Sequence, residues 1–525
     1  PYKQTEIAAN LAQQITHPVN WVDSIRYLMG QRQMVFEEVG PGKVLKKLIA
    51  KIQKEAEPLV VTEVSPKPAR AEPISSSITP ESLGSKEFKQ AYHLKYAYVT
   101  GAMVKGIASK ELVVKIGKAG LMGYFGTGGL KLPKIEEAIQ FIQRELKEGQ
   151  AYGMNFLHNP GSPQLEDDTV DLFLKQGVKQ IEAAAFMQMT PALVRYRLKG
   201  LRRDTSGKIS TTHKVMAKIS RPEIAQVFLS PAPERIVKKL LEANQISGQE
   251  AESKEMPMAD DLCVEADSGG HTDMGIMSVL LPTIIRQRDE LMDQYRYAKP
   301  VRVGAAGGIG TPEAAATAFI LGADFILTGS INQCTVEAGT SDAAKDILQL
   351  LDVQDTDYAP AGDMFEIGAK VQVVRKGVFF PARANKLYDL YRHYNSLDEI
   401  DNKTKQQIQD KYFHRSFEEV YAETKAYYSQ HLPEEIKKAE RNPKHKMALI
   451  FRWYFVHTMR LAARGSSEQK VDYQIHCGPA MGAFNQWVNG TALENWQNRH
   501  VDEIAEKLMQ GTAELLNQRF QELLE

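Results

Sequence analysis

The chain has 525 residues, of which 43% are hydrophobic and 25% charged, the composition of a globular protein. Lys and Arg together number 65, as do Asp and Glu, and the resulting formal net charge of +0 argues against a nucleic-acid-binding protein. No apolar run approaches the roughly 18 residues of a membrane span, so no membrane insertion is expected.

The cysteines and the start of the chain bear on the compartment. Cys263, Cys334 and Cys477 lie far apart and form no Cys-x-x-Cys pair, which argues against a disulfide framework or a zinc site and favours the cytoplasm. Glu265 and Asp267 are potential metal ligands, but no consistent third position accompanies them, so no metal is assigned. The first residues, PYKQTEIAAN, lack a signal-peptide pattern and an initiator Met, so we expect a processed chain or a segment of a longer polypeptide.

The N-terminal part divides into two segments. Residues 1–50 show patterns of short helices and turns. Residues 51–75 carry four prolines among charged and small residues, a composition that cannot bury a core and that predicts a semi-rigid linker. This linker is the clearest domain boundary in the sequence.

After the linker, short β-type runs alternate with amphipathic helical patterns. The runs are rich in Val, Ile, Ala and aromatic residues and are flanked by small or polar residues. They are YVTGAM (98–103), LMGYFG (121–126), YGMNFL (152–157), IEAAAF (181–186), KVMAKIS (214–220), LCVEAD (262–267), VRVGAA (301–306) and ADFILTG (323–329). Strands that are each followed by a helix predict an α/β fold, a (β/α)8 TIM barrel over residues 76–354. A doubly wound open sheet is the alternative.

From about residue 355 the alternation stops, and long helical patterns dominate, among them SFEEVYAETKAYYSQHL and KMALIFRWYFVHTMRLAA. We interpret residues 355–525 as an additional C-terminal helical region that packs over or beside the barrel. The final helix is a candidate for returning to complete the outer ring of the barrel.

Small residues follow both of the last two predicted strands. Strand 7 ends in AAGGIG and strand 8 in TGSIN, the two exits at which (β/α)8 barrels commonly bind phosphate. Backbone N–H groups at tight turns offer several donors, and glycine lets the backbone approach an anion closely. The predicted cradle consists of Gly307, Gly308, Gly329 and Ser330. This pattern leaves open whether the phosphate belongs to FMN or to a sugar phosphate.

Polar residues at other strand ends are candidates for the reacting groups. Strand 6 leads into EADSGGHTD, where His271 follows the pair Gly269 and Gly270 and can project over the central pocket. A histidine there can bind a substrate or transfer a proton. Asn155 in strand 3 can bond the donor and acceptor edges of a flavin ring, and Lys218 in strand 5 can contact flavin N1/O2 or a phosphate. Each of these residues also has an ordinary structural interpretation.

Long motifs in the same order give the chain a family resemblance. It resembles the flavin-dependent enoyl reductases that act in trans with trans-acyltransferase polyketide synthases and polyunsaturated-fatty-acid synthases. The resemblance runs from about residue 75 to the end and is carried by GAMVKGIAS, AGLMGYFGTGGL, GMNFLHNP, EADSGGHTD, VGAAGGIGTPEAAATAFILGADFILTGSINQC, APAGDMFEIGAKVQVVRKGVFFPARANKLYDLY, FRWYFVHTMRLAARG and DYQIHCGPAMGAFNQW. More distantly, the barrel motifs are similar to nitronate monooxygenases and to the FMN-dependent enoyl-acyl-carrier-protein reductases of fatty acid synthesis.

The beginning of the chain carries a second resemblance. HPVNWVDSIRYLMG and FEEVGPGKVLKKLI are similar to the C-terminal tail of a malonyl-type acyltransferase domain. The Gly-x-Ser-x-Gly nucleophile motif of that domain should lie upstream and is missing from the sequence. We interpret residues 1–50 as an inactive acyltransferase remnant and expect no acyl transfer.

The first resemblance implies an FMN-dependent, NADPH-consuming enoyl reductase that reduces α,β-unsaturated thioesters on an acyl carrier protein, with polyketide synthase modules as partners. It implies that His271 and Lys218 are the catalytic candidates. The residues expected to contact FMN are Gly101, Ala102, Met103, Asn155, Lys218, Gly269, Gly270, Gly307, Gly308, Gly329 and Ser330. The C-terminal region would meet the carrier protein through basic residues such as Lys370, Arg375, Lys376, Arg383 and Lys386.

Other functions stay open at this point. A nitronate monooxygenase-type flavin oxidase is one, although this chain has Ser-Gly-Gly-His-Thr-Asp where those enzymes usually have Ala-Gly-Gly-His. A flavin-free sugar-phosphate lyase or isomerase and a non-catalytic docking barrel are the others. The intact glycine turns weigh against the docking barrel. Oligomeric assembly is compatible with the sequence.

Overall fold

The computed structural model describes residues 21–31, 34–40, 42–59, 77–203, 205, 209–252 and 256–524. The chain forms two compact units, Pro1–Ser77 and Ile78–Glu525. The smaller unit contains two helices, α1 (Trp21–Gln31) and α2 (Val44–Glu55). Helix α2 extends into the segment predicted as a linker, and residues 1–20 of the predicted acyltransferase remnant and 60–75 of the linker lie outside the described residues.

The strands of the large unit fall into three sheets. In chain order they are β1 (Tyr98–Thr100), β2 (Met122–Phe125), β3 (Gly153–Leu157), β4 (Gln180–Ala184), β5 (Arg202–Arg203), β6 (Ile209–Ser210), β7 (Lys214–Ile219), β8 (Asp261–Glu265), β9 (Gly270–His271), β10 (Arg302–Ala306), β11 (Ile326–Thr328), β12 (Thr356–Pro360) and β13 (Lys370–Val374). Strands β5 and β6 pair with each other, and β9, β12 and β13 form a separate antiparallel sheet.

The remaining eight strands form the predicted barrel. They close in the order β1-β11-β10-β8-β7-β4-β3-β2, and every pair is parallel. Each of the eight apolar runs found in the sequence overlaps one of these strands, and six of the runs contain their strand completely. The (β/α)8 prediction is confirmed, and the open-sheet alternative is wrong because β1 and β11 pair and leave no edge.

Helices surround the barrel and fill the C-terminal region. They are α3 (Lys86–Tyr92), α4 (Lys110–Lys118), α5 (Leu132–Glu145), α6 (Pro163–Lys175), α7 (Pro191–Leu198), α8 (Pro222–Leu229), α9 (Glu234–Glu242), α10 (Met277–Tyr295), α11 (Pro312–Ile320), α12 (Asp342–Leu348), α13 (Phe380–His393), α14 (Asn402–Ile408), α15 (Phe417–His431), α16 (Pro433–Arg441), α17 (Pro443–Arg464), α18 (Ala480–Trp487) and α19 (Val501–Leu524). None of the helices in the described part of the chain combines the length and apolar content needed to cross a bilayer.

Helix α3 closes the N-terminal end of the barrel. The Phe88 ring stacks on the Phe325 ring with centroids 4.2 Å apart, and the Tyr92 hydroxyl donates to the buried Asp261 carboxylate. Arg302 donates to the same carboxylate from Nε at 2.6 Å and from Nη2 at 2.9 Å. A buried charge that is paired in this bidentate way has its hydrogen-bonding capacity used within the protein.

Helix α19 belongs to the outer ring. It packs against α11, which follows the seventh barrel strand, and against α4, which follows the first. Ion pairs between Lys115 and Asp502 at 3.2 Å and between Lys95 and Glu506 at 2.8 Å accompany this packing. The last helix therefore occupies the eighth position of the ring, although about 170 residues separate it from the eighth strand.

The prediction that residues after 355 are helical was incomplete. Strands β12 and β13 lie in this region, and β13 pairs with β9, so Val371 stands opposite His271 and Gln372 opposite Gly270. A separate apolar core gathers helices α13, α15 and α17 around aromatic side chains such as Phe380, Phe417 and Phe451. The small sheet thus joins the loop after strand β8 to the C-terminal region.

Candidate functional site

The glycines after strand β10 form a turn whose backbone conformation other residues rarely adopt. Gly307 has φ +86° and Gly308 has φ +73°, both in the left-handed region that favours glycine. A Cβ on Gly307 would lie 2.6 Å from the carbonyl oxygen of Ala266. A Cβ on Gly308 or on Gly329 would meet no atom within 4 Å, so both face open space. One side of the turn is therefore packed against Ala266, and the other side, which we call the open front, faces unoccupied space.

Backbone donors line this open front. Among the described residues, none accepts a hydrogen bond from the backbone N–H groups of Gly307, Gly308, Gly329 or Ser330. Ser330 is the first residue of a short 3₁₀ turn, Ser330–Cys334. Its hydroxyl accepts a hydrogen bond from the Gly478 N–H at 3.2 Å. Free N–H groups at tight turns form anion-binding concavities. The structure thus places all four residues of the predicted cradle at the exits of the last two barrel strands.

The C-terminal region supplies a third side to this cradle. A Cβ on Gly310 would lie 2.3 Å from the carbonyl oxygen of Ala480, the first residue of α18. A Cβ on Gly269 would lie 2.9 Å from the backbone nitrogen of Gly478. The N-terminal end of α18 therefore lies against both glycine turns. The sequence prediction missed this segment because it is about 150 residues from Ser330.

A second cluster, of charged side chains, lies inside the barrel. Glu182 on β4 is 0% exposed, and its Oε2 accepts hydrogen bonds from the Ala102 N–H at 3.3 Å and from Asn155 Nδ2 at 3.1 Å. Lys218 on β7 contacts Glu265 on β8, with 3.1 Å between Nζ and Oε1. We call Ala102, Asn155, Glu182, Lys218 and Glu265 the mouth cluster.

Charges in the mouth cluster shift each other's protonation. Burial raises the pKa of Glu182 to about 7, although Lys218 opposes the shift. Burial alone would lower the pKa of Lys218, but the carboxylates of Glu265 and Glu182 outweigh it and raise that pKa. One ammonium group therefore serves two carboxyl groups.

His271 lies at the edge of the site. Its Nε2 contacts Asp363 Oδ1 at 2.9 Å, and its side chain is 48% exposed. Burial alone would lower the pKa of His271, but the hydrogen bond and charge of Asp363 raise it above its usual value. A second histidine, His476, has its pKa lowered to about 4 by burial and by the charge of His271. The His271 imidazole therefore takes up a proton more readily than the His476 imidazole.

The other predicted residues fall close to these groups. Gly101 donates its N–H to Thr328 O at 2.9 Å, and a Cβ there would lie 2.4 Å from Leu327 Cδ2. Met103 follows in the same loop and is half-buried. Gly270 has φ +85° and precedes His271 in β9. Within the described residues, no group of three His, Cys, Asp or Glu side chains could hold a metal ion.

The structure therefore joins the predicted residues into two groups. Ala102, Asn155 and Lys218 meet through Glu182, and the cradle residues meet through the segment at Gly478. The sequence prediction missed Glu182 and Asp363. Glu182 is the only charge in the run IEAAAF, which was a usable signal, whereas Asp363 lies 92 residues from His271 and had none.

The fold and the site define a (β/α)8 barrel protein with glycine turns at its last two strand exits and a buried charge cluster at its mouth. This chain belongs to the nitronate monooxygenase family, whose sequence profile matches residues 86–364, more than half of the chain. The profile of the inserted helical domain of [acyl-carrier-protein] S-malonyltransferase matches residues 394–473. The family membership confirms the resemblance of the barrel motifs.

Similar proteins come from polyketide biosynthesis. The polyketide biosynthesis protein PksE of Bacillus subtilis is 57% identical over 100% of this chain and 69% of its own length. ThaF of Burkholderia thailandensis is 47% identical over 99% of this chain, which spans about half, 51%, of that relative. The crystal structure of the enoyl reductase domain of MlnA, from the macrolactin cluster of Bacillus amyloliquefaciens, superposes with a TM-score of 0.81 at 47% identity, covering 84% of this chain and 99% of that domain.

Proposed function

We propose that this chain is an FMN-dependent enoyl reductase that consumes NADPH and reduces α,β-unsaturated thioesters on an acyl carrier protein during polyketide or polyunsaturated-fatty-acid synthesis. The observation that carries the proposal is the likeness to the MlnA enoyl reductase domain over 84% of this chain, at 47% identity. The glycine cradle and the mouth cluster lie within the part of the chain that matches the nitronate monooxygenase family. The proposal includes a cytoplasmic location.

FMN fits the residues that are present. A phosphate needs several donors and close backbone approach. A Cβ on Gly308 or Gly329 would meet open space, and the N–H groups of these glycines and of Ser330 have no acceptor among the described residues. Asn155 and Lys218, which would hold the ring, already lie in one cluster with the Ala102 N–H. When bound, FMN would supply the hydride-transfer chemistry that links NADPH oxidation to reduction of the thioester at its β-carbon.

The protein's own groups manage charge and protons in this reaction. Negative charge develops on the thioester oxygen as the β-carbon is reduced, and a fixed donor in a water-poor pocket can stabilise it by a few kcal/mol. The α-carbon then needs a proton. His271 is our first choice for the acid because its contact with Asp363 favours the protonated imidazole. Lys218 is the alternative donor, and ordered water is a further one.

The carrier protein would approach from the C-terminal region. Two of the basic residues predicted to meet it are already engaged: Arg383 contacts the buried Asp472 at 2.5 Å, and Lys376 contacts Asp355 at 3.0 Å. These two side chains are therefore already paired within the protein. Arg375 and Lys386 are exposed and remain the better candidates for an acidic carrier surface.

One experiment tests the proposed function. The purified chain is reconstituted with FMN, its visible spectrum is recorded, and NADPH oxidation is followed with and without a crotonyl thioester on a carrier protein. We expect a yellow protein whose NADPH oxidation depends on the thioester. A chain that binds no FMN, or that binds FMN and leaves the thioester unreduced, contradicts the proposal.

The family membership favours a second candidate, a nitronate monooxygenase-type flavin oxidase. Such an enzyme would consume oxygen with a nitronate and would need no NADPH. Measuring oxygen uptake with propionate-3-nitronate under the same conditions separates the two candidates. The enoyl reductase proposal expects no nitronate-dependent uptake above the rate of free FMN.

A further inference from the structure

Glu182 is an anomaly inside the barrel. It is fully buried, and both hydrogen bonds that its carboxyl group accepts go to Oε2, from the Ala102 N–H and from Asn155 Nδ2. Its Oε1 is buried and has no hydrogen-bond partner within the part of the chain that the structure describes. A buried carboxylate oxygen without a donor is costly, and a proton on that oxygen removes most of the cost.

The surrounding charges do not neutralise this carboxyl group. Lys218 is the cation that lowers the pKa of Glu182, but its Nζ forms an ion pair with Glu265 Oε1 at 3.1 Å. Glu265 also accepts from Ser268 Oγ at 3.1 Å and therefore stays well solvated by the protein. With both carboxyl groups ionised, the cluster carries one net negative charge. With a proton on Glu182, it carries none.

Besides Lys218 and Glu265, two further titratable groups among the described residues face Glu182, and both stay neutral. Tyr124 on β2 and Cys263 on β8 are buried, and burial raises the pKa of each well above its usual value. Ala102 and Asn155, on the loop after β1 and on β3, contribute only uncharged groups. Proton binding near neutral pH in this cluster therefore falls to Glu182, whose pKa burial raises to about 7.

We propose that Glu182 is a proton-holding positioning residue: it binds a proton when negative charge arrives beside Ala102 and Asn155, and it keeps the site electrically neutral during flavin reduction. The inference rests on the proposed function, because it is the FMN ring that would bring this charge. The step is proton uptake alone, in which solvent supplies the proton and an O–H bond forms on the Glu182 carboxyl group.

The test counts protons. The midpoint potential of the bound flavin is measured against pH in the wild-type chain and in Glu182→Gln, and the slope gives the protons bound per electron pair. Because a group with a pKa near 7 is half-protonated at pH 7, we expect the wild-type chain to bind about half a proton more than the variant there. Gln is isosteric and keeps an acceptor for Ala102 and Asn155.

Glu166→Gln is the matched control. Glu166 is also a buried carboxyl group, but it contacts His158 at 2.8 Å and the Asn159 N–H at 2.6 Å. We expect its slope to equal that of the wild-type chain. Equal slopes in wild type and Glu182→Gln would overturn the inference and leave enoyl reduction standing. Absence of FMN binding in the wild-type chain would overturn both.

A second measurement needs no variant. The reduced-minus-oxidised infrared difference spectrum of the wild-type holoprotein at pH 7 should show a gain in the C=O stretch of a protonated carboxyl group. In D₂O the band should shift, as expected for an exchangeable proton. A difference spectrum without such a gain would overturn the inference even if Glu182→Gln fails to fold.

Discussion

The barrel contains a buried charge cluster at each end, and the two are built differently. At the N-terminal end, Asp261 receives a bidentate contact from Arg302 and a hydroxyl hydrogen bond from Tyr92. At the C-terminal end, Glu182 keeps one oxygen without a partner among the described residues, and Lys218 is shared between two carboxyl groups. In our proposal the satisfied cluster stabilises the fold, whereas the unsatisfied one serves the binding of a ligand.

The largest expected effect comes from breaking the N-terminal cluster. Asp261→Ala leaves the half-buried Arg302 guanidinium without its carboxylate partner, so we expect the free energy of unfolding to fall by about 3–5 kcal/mol. Urea denaturation measures this. Asp293→Ala removes an exposed carboxylate and should change stability by less than about 0.5 kcal/mol. Equal effects in the two variants would contradict a structural role for the cluster.

Removing the cation of the mouth cluster should lower the rate of thioester reduction. Lys218→Met removes the cation that serves Glu182 and Glu265, and we expect kcat/KM for the thioester to fall by about 100-fold. Lys214→Met provides the control on the same strand, since Lys214 lies at the N-terminal end and over the Tyr92 ring, 4.3 Å from its centroid. That variant should lose stability and keep the kcat/KM of its folded fraction.

The cradle can be tested with two glycines of similar geometry. Gly308 (φ +73°) and Gly149 (φ +77°) would both place a Cβ in open space, so alanine should cost each about 1 kcal/mol of stability. Only Gly308 lies in the cradle, where a methyl group would occupy the space for the phosphate. We expect Gly308→Ala to weaken FMN binding about tenfold or more, measured by flavin fluorescence, and Gly149→Ala to leave it unchanged.

The smallest expected effect is a shift in pH dependence. Asp363 raises the pKa of His271, so the charged imidazole persists to higher pH and is lost as pH rises through that pKa. In Asp363→Asn the alkaline limb of the kcat/KM profile should move to lower pH. A profile that does not move, or His271→Ala with nearly intact turnover, would show that the proton comes from another group.

Local signals explain what the sequence analysis predicted. All eight barrel strands are short apolar runs with small or polar flanks, and the helix after strand β10 begins with the cap Thr311 and Pro312, as its sequence indicates. The cradle glycines were predictable because a (β/α)8 barrel fixes where the last strand exits lie.

Contacts between distant segments explain what the sequence analysis missed. Strand β13, KVQVV, has an alternating pattern, but its partner β9 has two residues and is about 100 residues earlier in the chain. Glu182 was visible as a lone acid in an apolar run. That its Oε1 has no partner among the described residues became evident only from the structure, where strands β3 and β7 flank β4.

The position of α19 has a consequence for synthesis on the ribosome. The eighth ring helix follows the whole stretch from β12 to α18, so the groove between α11 and α4 stays uncovered until residues 501–524 have left the exit tunnel. The faces of α11 and α4 that pack against α19 are therefore exposed while more than 150 residues are translated. A longer stretch prolongs this exposure, and exposed apolar surface makes a partly folded chain prone to aggregate.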